Sequence, residues 1–322
     1  MIKKIQISHK IIHAVKAGAG RTRGTEGTKR TEGIGRTGMD PGILECYLEA
    51  GRIASSVREQ TIKTVEEGGR LLDTAEYAEE LTRQMGGEAA FPCNISINEI
   101  ASHYTPLKGD KKFVSGDLVK IDIGVHINGY IADTANTIEV DTNHNLILVR
   151  AAREALNAAI NEIQEGVNTK YLGKVIENVI ESHNCFPMTD LTGHSMGRYI
   201  IHSGVNIPNY GNASFGNILH AGDVVAVEPF TTLGHGRTRR GDVRIYSLVG
   251  SKGSKNLLHQ KLFSLFNTLP FTTRWMDKPD ELDKMMTKLH KYPVLIESGG
   301  CPVAQAEHTV IVEDKGCRVI TT

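Results

Sequence analysis

The stretch LVKIDIGVHINGYIADTANTIEV, residues 118–140, decides how the rest of this chain is read. Two apolar-rich segments flank Asn128-Gly129, a pair that favours the positive backbone angles of a two-residue hairpin turn. That turn sets the pairing. If Ile127 faces Tyr130, then Gly124 faces Asp133, and Asp122 lies two residues along on the same face as Gly124. Asp122 and Asp133 become diagonal neighbours with Cβ atoms roughly 7 Å apart, a separation that a divalent ion or a pair of ions bridges. Gly124 leaves space there. On its own the segment also suits a solvent-facing pair of carboxylates; a buried pair demands something positive nearby, for which Arg or Lys would serve.

Other ionisable residues fall in or beside strand-like runs, where an unpaired charge is costly. His194 sits in Gly193-His194-Ser195, His202 follows it, Glu228 closes the apolar run VVAVE, and Glu307-His308 lies within VAQAEHTVIV. Two Asp, two Glu and one His make an oxygen-rich ligand set. Such a set suits paired Mn, Fe, Co or Zn ions rather than a tetrahedral structural zinc.

The chain around these motifs has 322 residues, enough for one large domain or two ordinary ones without disulfide staples. Its 37 basic and 37 acidic residues cancel, so the overall balance does not describe a dedicated nucleic-acid binder. The five cysteines form no C-x-x-C pair and are odd in number, which fits a reducing, cytoplasmic setting. No run reaches the roughly 18 apolar residues of a membrane span, and the charged and His residues within Met1–Lys16 argue against a signal peptide. Residues 1–38 hold nine Lys or Arg against two Glu, and the stretch from 18 to 38 is almost wholly Gly, Thr, Arg and Lys. It is expected to be a disordered basic leader, with Met39 as the expected true start; a basic arm for an anionic partner and a transit peptide are the other readings.

Helical periodicity begins after Met39 and is expected to run to Gly68-Gly69. A second helix is expected to start near Asp73, with Glu76 completing a capping box, and to end at Gly86-Gly87. The strand pair at about 117–141 is followed by expected helices near 147–165 and 170–183. Strand-like runs occur at 198–202, 223–230 and 242–249, a Lys-rich helical stretch at about 254–290, and a closing hairpin at 303–322. This mixture predicts an α+β domain over residues 39–322 with a helical insertion.

Over roughly residues 40–322 the chain resembles the type 2 methionine aminopeptidases. The segments FPCNISINEIASHYTP (91–106), VKIDIGVHINGYIADTA (119–135), GHSMGRYIIHSG (193–204), VAVEPF (225–230) and AQAEHT (304–309) look like that family's signatures and occur in its order. The resemblance implies the pita-bread α+β fold, with 254–290 as the small helical insertion of the type 2 class. It implies that Asp122, Asp133, His194, Glu228 and Glu307 bind two divalent ions, Co, Mn, Fe or Zn, with Asp133 and Glu307 bridging. It makes His103 and His202 non-ligand imidazoles that contact substrate, Glu228 the group that moves the proton, and Phe91, Ile201, Phe230 and Tyr292 the walls of a methionine pocket. The implied reaction is removal of the N-terminal methionine from nascent polypeptides with a small second residue, by a cytoplasmic monomer that meets its substrates at the ribosome. No membrane and no specific nucleic acid are implied as partners. The rival readings are a proline-directed aminopeptidase or dipeptidase of the same fold, and a non-enzymatic relative that binds ribosomes or nucleic acid. One departure stands out: Ala306 precedes Glu307 where the family usually has an aromatic residue.

Overall fold

Asp40 starts the first helix by capping it. Its Oδ1 accepts the N–H groups of Gly42 at 2.9 Å and Ile43 at 3.3 Å, and Pro41 follows at the first helical position. The computed structural model describes residues 38–250 and 256–322, so the expected leader lies outside the described residues up to residue 37.

Helices α1 (Pro41–Ile62) and α2 (Leu71–Gln84) lead into β1 (Glu88–Ala89), β2 (Asn94–Ile97), β3 (Ile100–Ser102) and the hairpin β4 (Leu118–Ile127) and β5 (Tyr130–Glu139). Helices α3 (Leu146–Glu162) and α4 (Thr169–Ser182) follow. Next come β6 (Phe186–Pro187), β7 (Thr192–Ser195), β8 (Asn206–Pro208), β9 (Val224–Val227), β10 (Phe230–Thr232) and β11 (Thr238–Leu248). Helix α5 (Leu257–Phe266), β12 (Phe271–Thr272) and two 3-10 segments, Thr273–Trp275 and Pro279–Lys288, fill the region between β11 and β13 (Leu289–Glu297). Strands β14 (Val303–Gln305), β15 (His308–Val312) and β16 (Cys317–Val319) complete the chain.

The hairpin has the register its turn dictates: Ile127 pairs with Tyr130, Gly124 with Asp133 and Asp122 with Ala135. Asn128 and Gly129 both take positive φ, 53° and 87°, as a turn matched to the twist of its strands requires. Alternation then sorts the side chains of β4. Val119, Ile121, Ile123 and Val125 are buried with Tyr47, Ile53 and Val57 of α1, each such burial contributing about 1.5–3 kcal/mol. Lys120, Asp122 and Gly124 take the opposite face, where Lys120 Nζ donates to Val303 O at 2.6 Å.

Among the described residues four antiparallel sheets result: β4 with β1, β2 and β5; β14-β10-β6; β12-β11-β13-β3; and β16-β15-β9-β7-β8. A second core, with Leu148, Leu156, Leu172 and Ile176 from α3 and α4 and Val225, Val227 and Val310 from the last sheet, supports the C-terminal strands. Ala306 is buried in it. The hairpin joins these strands through Glu307 N–H to Ala135 O at 3.0 Å, and through Thr137 Oγ1, which donates to Gln305 O at 2.6 Å and accepts from Gln305 N–H at 2.8 Å.

Two expected elements differ. Helix α2 starts at Leu71 rather than near Asp73, and no side chain caps it. Backbone does the work instead: Leu71 N–H donates to Lys111 O at 3.4 Å, and Arg70 bridges to Lys112. The run 198–202 is a tight turn, with Gly197 and Ile200 exchanging both backbone bonds. Tyr199 N–H reaches Gly129 O at 2.8 Å, which draws this segment over the hairpin turn and leaves the strand to Thr192–Ser195.

Candidate active site

The five groups that the sequence singles out as ligands come from different strands. Asp122 stands on β4 and Asp133 on β5, His194 on β7, Glu228 just after β9, and Glu307 between β14 and β15. Ligand atoms of Asp133, His194 and Glu307 lie within 4.8 Å of one another, and all three residues are buried. His194 Nε2 is 3.7 Å from Asp133 Oδ2 and 3.5 Å from Glu228 Oε1, too long for good hydrogen bonds but suited to a shared cation between them. Asp122 and Asp133 line one cavity together with His194 and Glu228.

Amides orient two of the carboxylates. Gln305 Nε2 donates to Glu307 Oε2 at 3.0 Å, and Asn94 Nδ2 donates to Asp122 Oδ2 at 3.3 Å. The second oxygens are left over: Asp122 Oδ1 and Asp133 Oδ1 are buried with no hydrogen-bond partner. Burial pushes the Asp122 carboxyl up to about 6. Burial, then repulsion from Asp122 and Glu228, raises Asp133 well above the carboxylate range. Glu228 and Glu307 are raised in the same sense, by burial first and then by neighbouring carboxylates. Burial drives the His194 imidazole the other way, well below its ordinary value. Among the described residues no Lys or Arg pairs with any of the four carboxylates. Such a cluster fits divalent cations, which favour ionised oxygen ligands and neutral imidazole and cancel the repulsion.

Phe91, His103, Ile201, His202 and Tyr292 also line the cavity. Tyr292 meets His103 edge-on with centroids 5.6 Å apart, and His202 packs edge-on against His194 at 4.4 Å. His103 adopts a left-handed backbone, φ 63°, rare for a residue with a side chain and typical of functional sites. Its Nδ1 lies 3.2 Å from Pro293 O, and burial lowers its pKa to about 4. Phe230 is placed differently from expectation. It pairs with Gln305 in β10, and its ring is buried with Met188, Leu191 and Val303, where it finds more apolar surface than the cavity offers. Four further lining residues escaped sequence reasoning: Asn94, Ser102, Ile245 and Pro270. The pairing of Asn94 with Asp122 through β2 was the signal, had that short strand been recognised.

The family model of metallopeptidase family M24 matches residues 45–259. The chain is 42% identical over 293 residues to the methionine aminopeptidase of Pyrococcus horikoshii, covering 86% of this chain and 99% of that protein. It is 40% identical over 289 residues to that of Methanocaldococcus jannaschii, covering 86% and 98%. The crystal structure of the Thermotoga maritima methionine aminopeptidase shares the fold, with a TM-score of 0.68 at 24% identity over 90% of this chain and 100% of that one.

Proposed function

The chain belongs to the methionine aminopeptidases of metallopeptidase family M24, with their pita-bread fold, and on that premise we propose how its own residues carry out the hydrolysis. Asp122, Asp133, His194, Glu228 and Glu307 would hold two divalent ions, drawn from Mn, Fe, Co and Zn. The convergence of Asp133, His194 and Glu307 within 4.8 Å is the observation that carries this reading. When bound, the ions supply Lewis acidity, polarising a carbonyl and bringing the ionisation of water towards neutral pH.

The residues do the rest. Glu228, at the cavity wall, takes a proton from the attacking water and passes it to the leaving amine. His103 has a defined tautomer: Pro293 O can only accept, so Nδ1 carries the proton, and Nε2 is left to accept the N–H of the scissile amide. That leaves His202 as the imidazole free to donate to the carbonyl oxygen as it gains charge. Phe91, Ile201 and Tyr292 enclose the methionine side chain, whose thioether favours aromatic edges. Asp122, Asp133 and Glu228 line the cavity, and the ions they would hold there would take a free α-amine and so select a chain terminus. A small second residue is the preference this reading expects.

All of these residues come from one chain, which suits a monomer. The substrates are the N-terminal methionines of nascent polypeptides, met at the ribosome in the cytoplasm. No described helix is long and apolar enough to cross a membrane. Hydrolysis of Met-Ala-Ser, followed as free methionine, tests the reading. Activity should vanish on chelation and return with added Mn or Co, whereas a folded, metal-loaded sample that releases no methionine overturns it.

A further inference from the structure

We propose that Glu79 and Arg274, neither of which touches the cavity, are positioning residues that set the width of the methionine pocket. This rests on the aminopeptidase reading above and extends it to the wall that the inserted segment supplies.

Glu79 stands on α2 and Arg274 in the 3-10 turn Thr273–Trp275, 195 residues apart, and their side chains are buried against each other. Arg274 presents two nitrogens to the two carboxylate oxygens, with Nη1 to Oε2 at 2.5 Å, a fork-to-fork pairing that fixes direction as well as distance. Glu79 Oε2 also accepts from the Trp275 indole at 2.8 Å, and Oε1 accepts from Cys93 N–H at 3.1 Å. The same Arg274 donates to Thr105 Oγ1 at 3.0 Å, and Thr105 Oγ1 donates to Cys93 O at 2.9 Å. Both backbone groups of Cys93 are therefore held by one polar node.

The consequence lies in what flanks these anchors. Cys93 sits between Phe91 and Asn94, and Thr105 is two residues beyond His103, so the node braces one wall of the cavity. Arg274 is four residues beyond Pro270, which lines the cavity from the inserted segment. A small void bounded by Glu79, Phe91, Cys93 and Gly124 adjoins the Phe91 ring, which also rests against Gly124. The ion pair ties the inserted segment to the bend between β1 and β2 that carries Phe91, and with it the gap into which a side chain must fit. A buried carboxylate stripped of its guanidinium partner draws in water or moves, and either change reaches both segments together.

Trp275 is the chain's single tryptophan, so its fluorescence reports the node directly. Arg274→Lys keeps the charge but loses the fork and the reach to Thr105. It should red-shift the emission, raise KM for Met-Ala-Ser about fivefold with kcat within about twofold, and lower the preference for Met-Ala-Ser over Leu-Ala-Ser about tenfold. Metal content should match wild type. Should Arg274→Lys fail to fold, Thr105→Val removes only the hydroxyl that couples Arg274 to Cys93 and should give the same pattern more weakly. A red-shifted emission with unchanged KM and unchanged Met/Leu preference overturns the proposal, as does a fall in kcat alone that merely tracks the folded fraction. Wild-type protein that releases no methionine fails at the first arm, which sinks the aminopeptidase reading before any variant is compared.

Discussion

Thr309 holds the backbone of Asp133 from both sides: its Oγ1 accepts the Asp133 N–H at 2.8 Å and donates to the Asp133 carbonyl at 2.7 Å. Thr134 returns the contact, donating from Oγ1 to Glu307 O at 2.9 Å. Asp133 and Glu307, both proposed ligands, are thus fixed to each other through threonines one and two residues away in sequence. A hydroxyl suits this task because one oxygen both donates and accepts.

Thr309→Val is nearly isosteric but leaves a buried N–H and a buried C=O without partners. The expected cost is about 2–4 kcal/mol of stability from the two orphaned groups. Urea unfolding measures it, and metal titration should show weaker binding as Asp133 loosens.

Asp133→Asn removes one charge from a cluster of mutually repelling carboxylates. The chelated variant should therefore melt no lower than chelated wild type, while turnover disappears and metal content falls. A melting temperature in chelator several degrees below wild type would show that the carboxylate stabilises the fold and is not held at its expense.

Gly124 lies against Phe91: a Cβ built there would come within 2.2 Å of Phe91 Cε1. Gly124→Ala must push the ring aside, at about 1–3 kcal/mol of overpacking. Because that ring lines the cavity where we place the methionine side chain, KM for Met-Ala-Ser should rise about tenfold, the equivalent of about 1.4 kcal/mol. Steady-state kinetics checks this.

His103 has a folded pKa of about 4 against an ordinary 6.5, so the unfolded chain binds its proton first as pH falls. Its contribution to stability is fully present above pH 6.5 and is lost as pH drops through about 4, by about 3 kcal/mol in all. His103→Asn keeps a residue that tolerates left-handed backbone and removes the titration. Urea unfolding in chelator from pH 7 to pH 4 should show a smaller loss for the variant than for wild type.

Much of this fold is legible in the hairpin alone, because Asn128-Gly129 leaves one register open and period-two alternation then assigns every side chain to a face. The ligand positions follow the same logic, since acids and an imidazole in apolar strands need a shared reason to be there. Helix α2 starts earlier than its spacing predicts because its first amide, that of Leu71, is satisfied by Lys111 and not by a local cap, a long-range fact invisible to spacing. Phe230 illustrates a similar limit: an aromatic beside a ligand has two faces to choose between, and only the packing of β10 against Met188 and Leu191 decides. The pairing of Glu79 with Arg274 has no periodic signature at all.

Glu307 arrives on one of the last strands, and its backbone closes onto Ala135 across more than half the chain. Until translation has passed that point, the centre we propose lacks Glu307 and the seam that joins it to Ala135. On that reading each new copy stays inert through nearly the whole of its own synthesis.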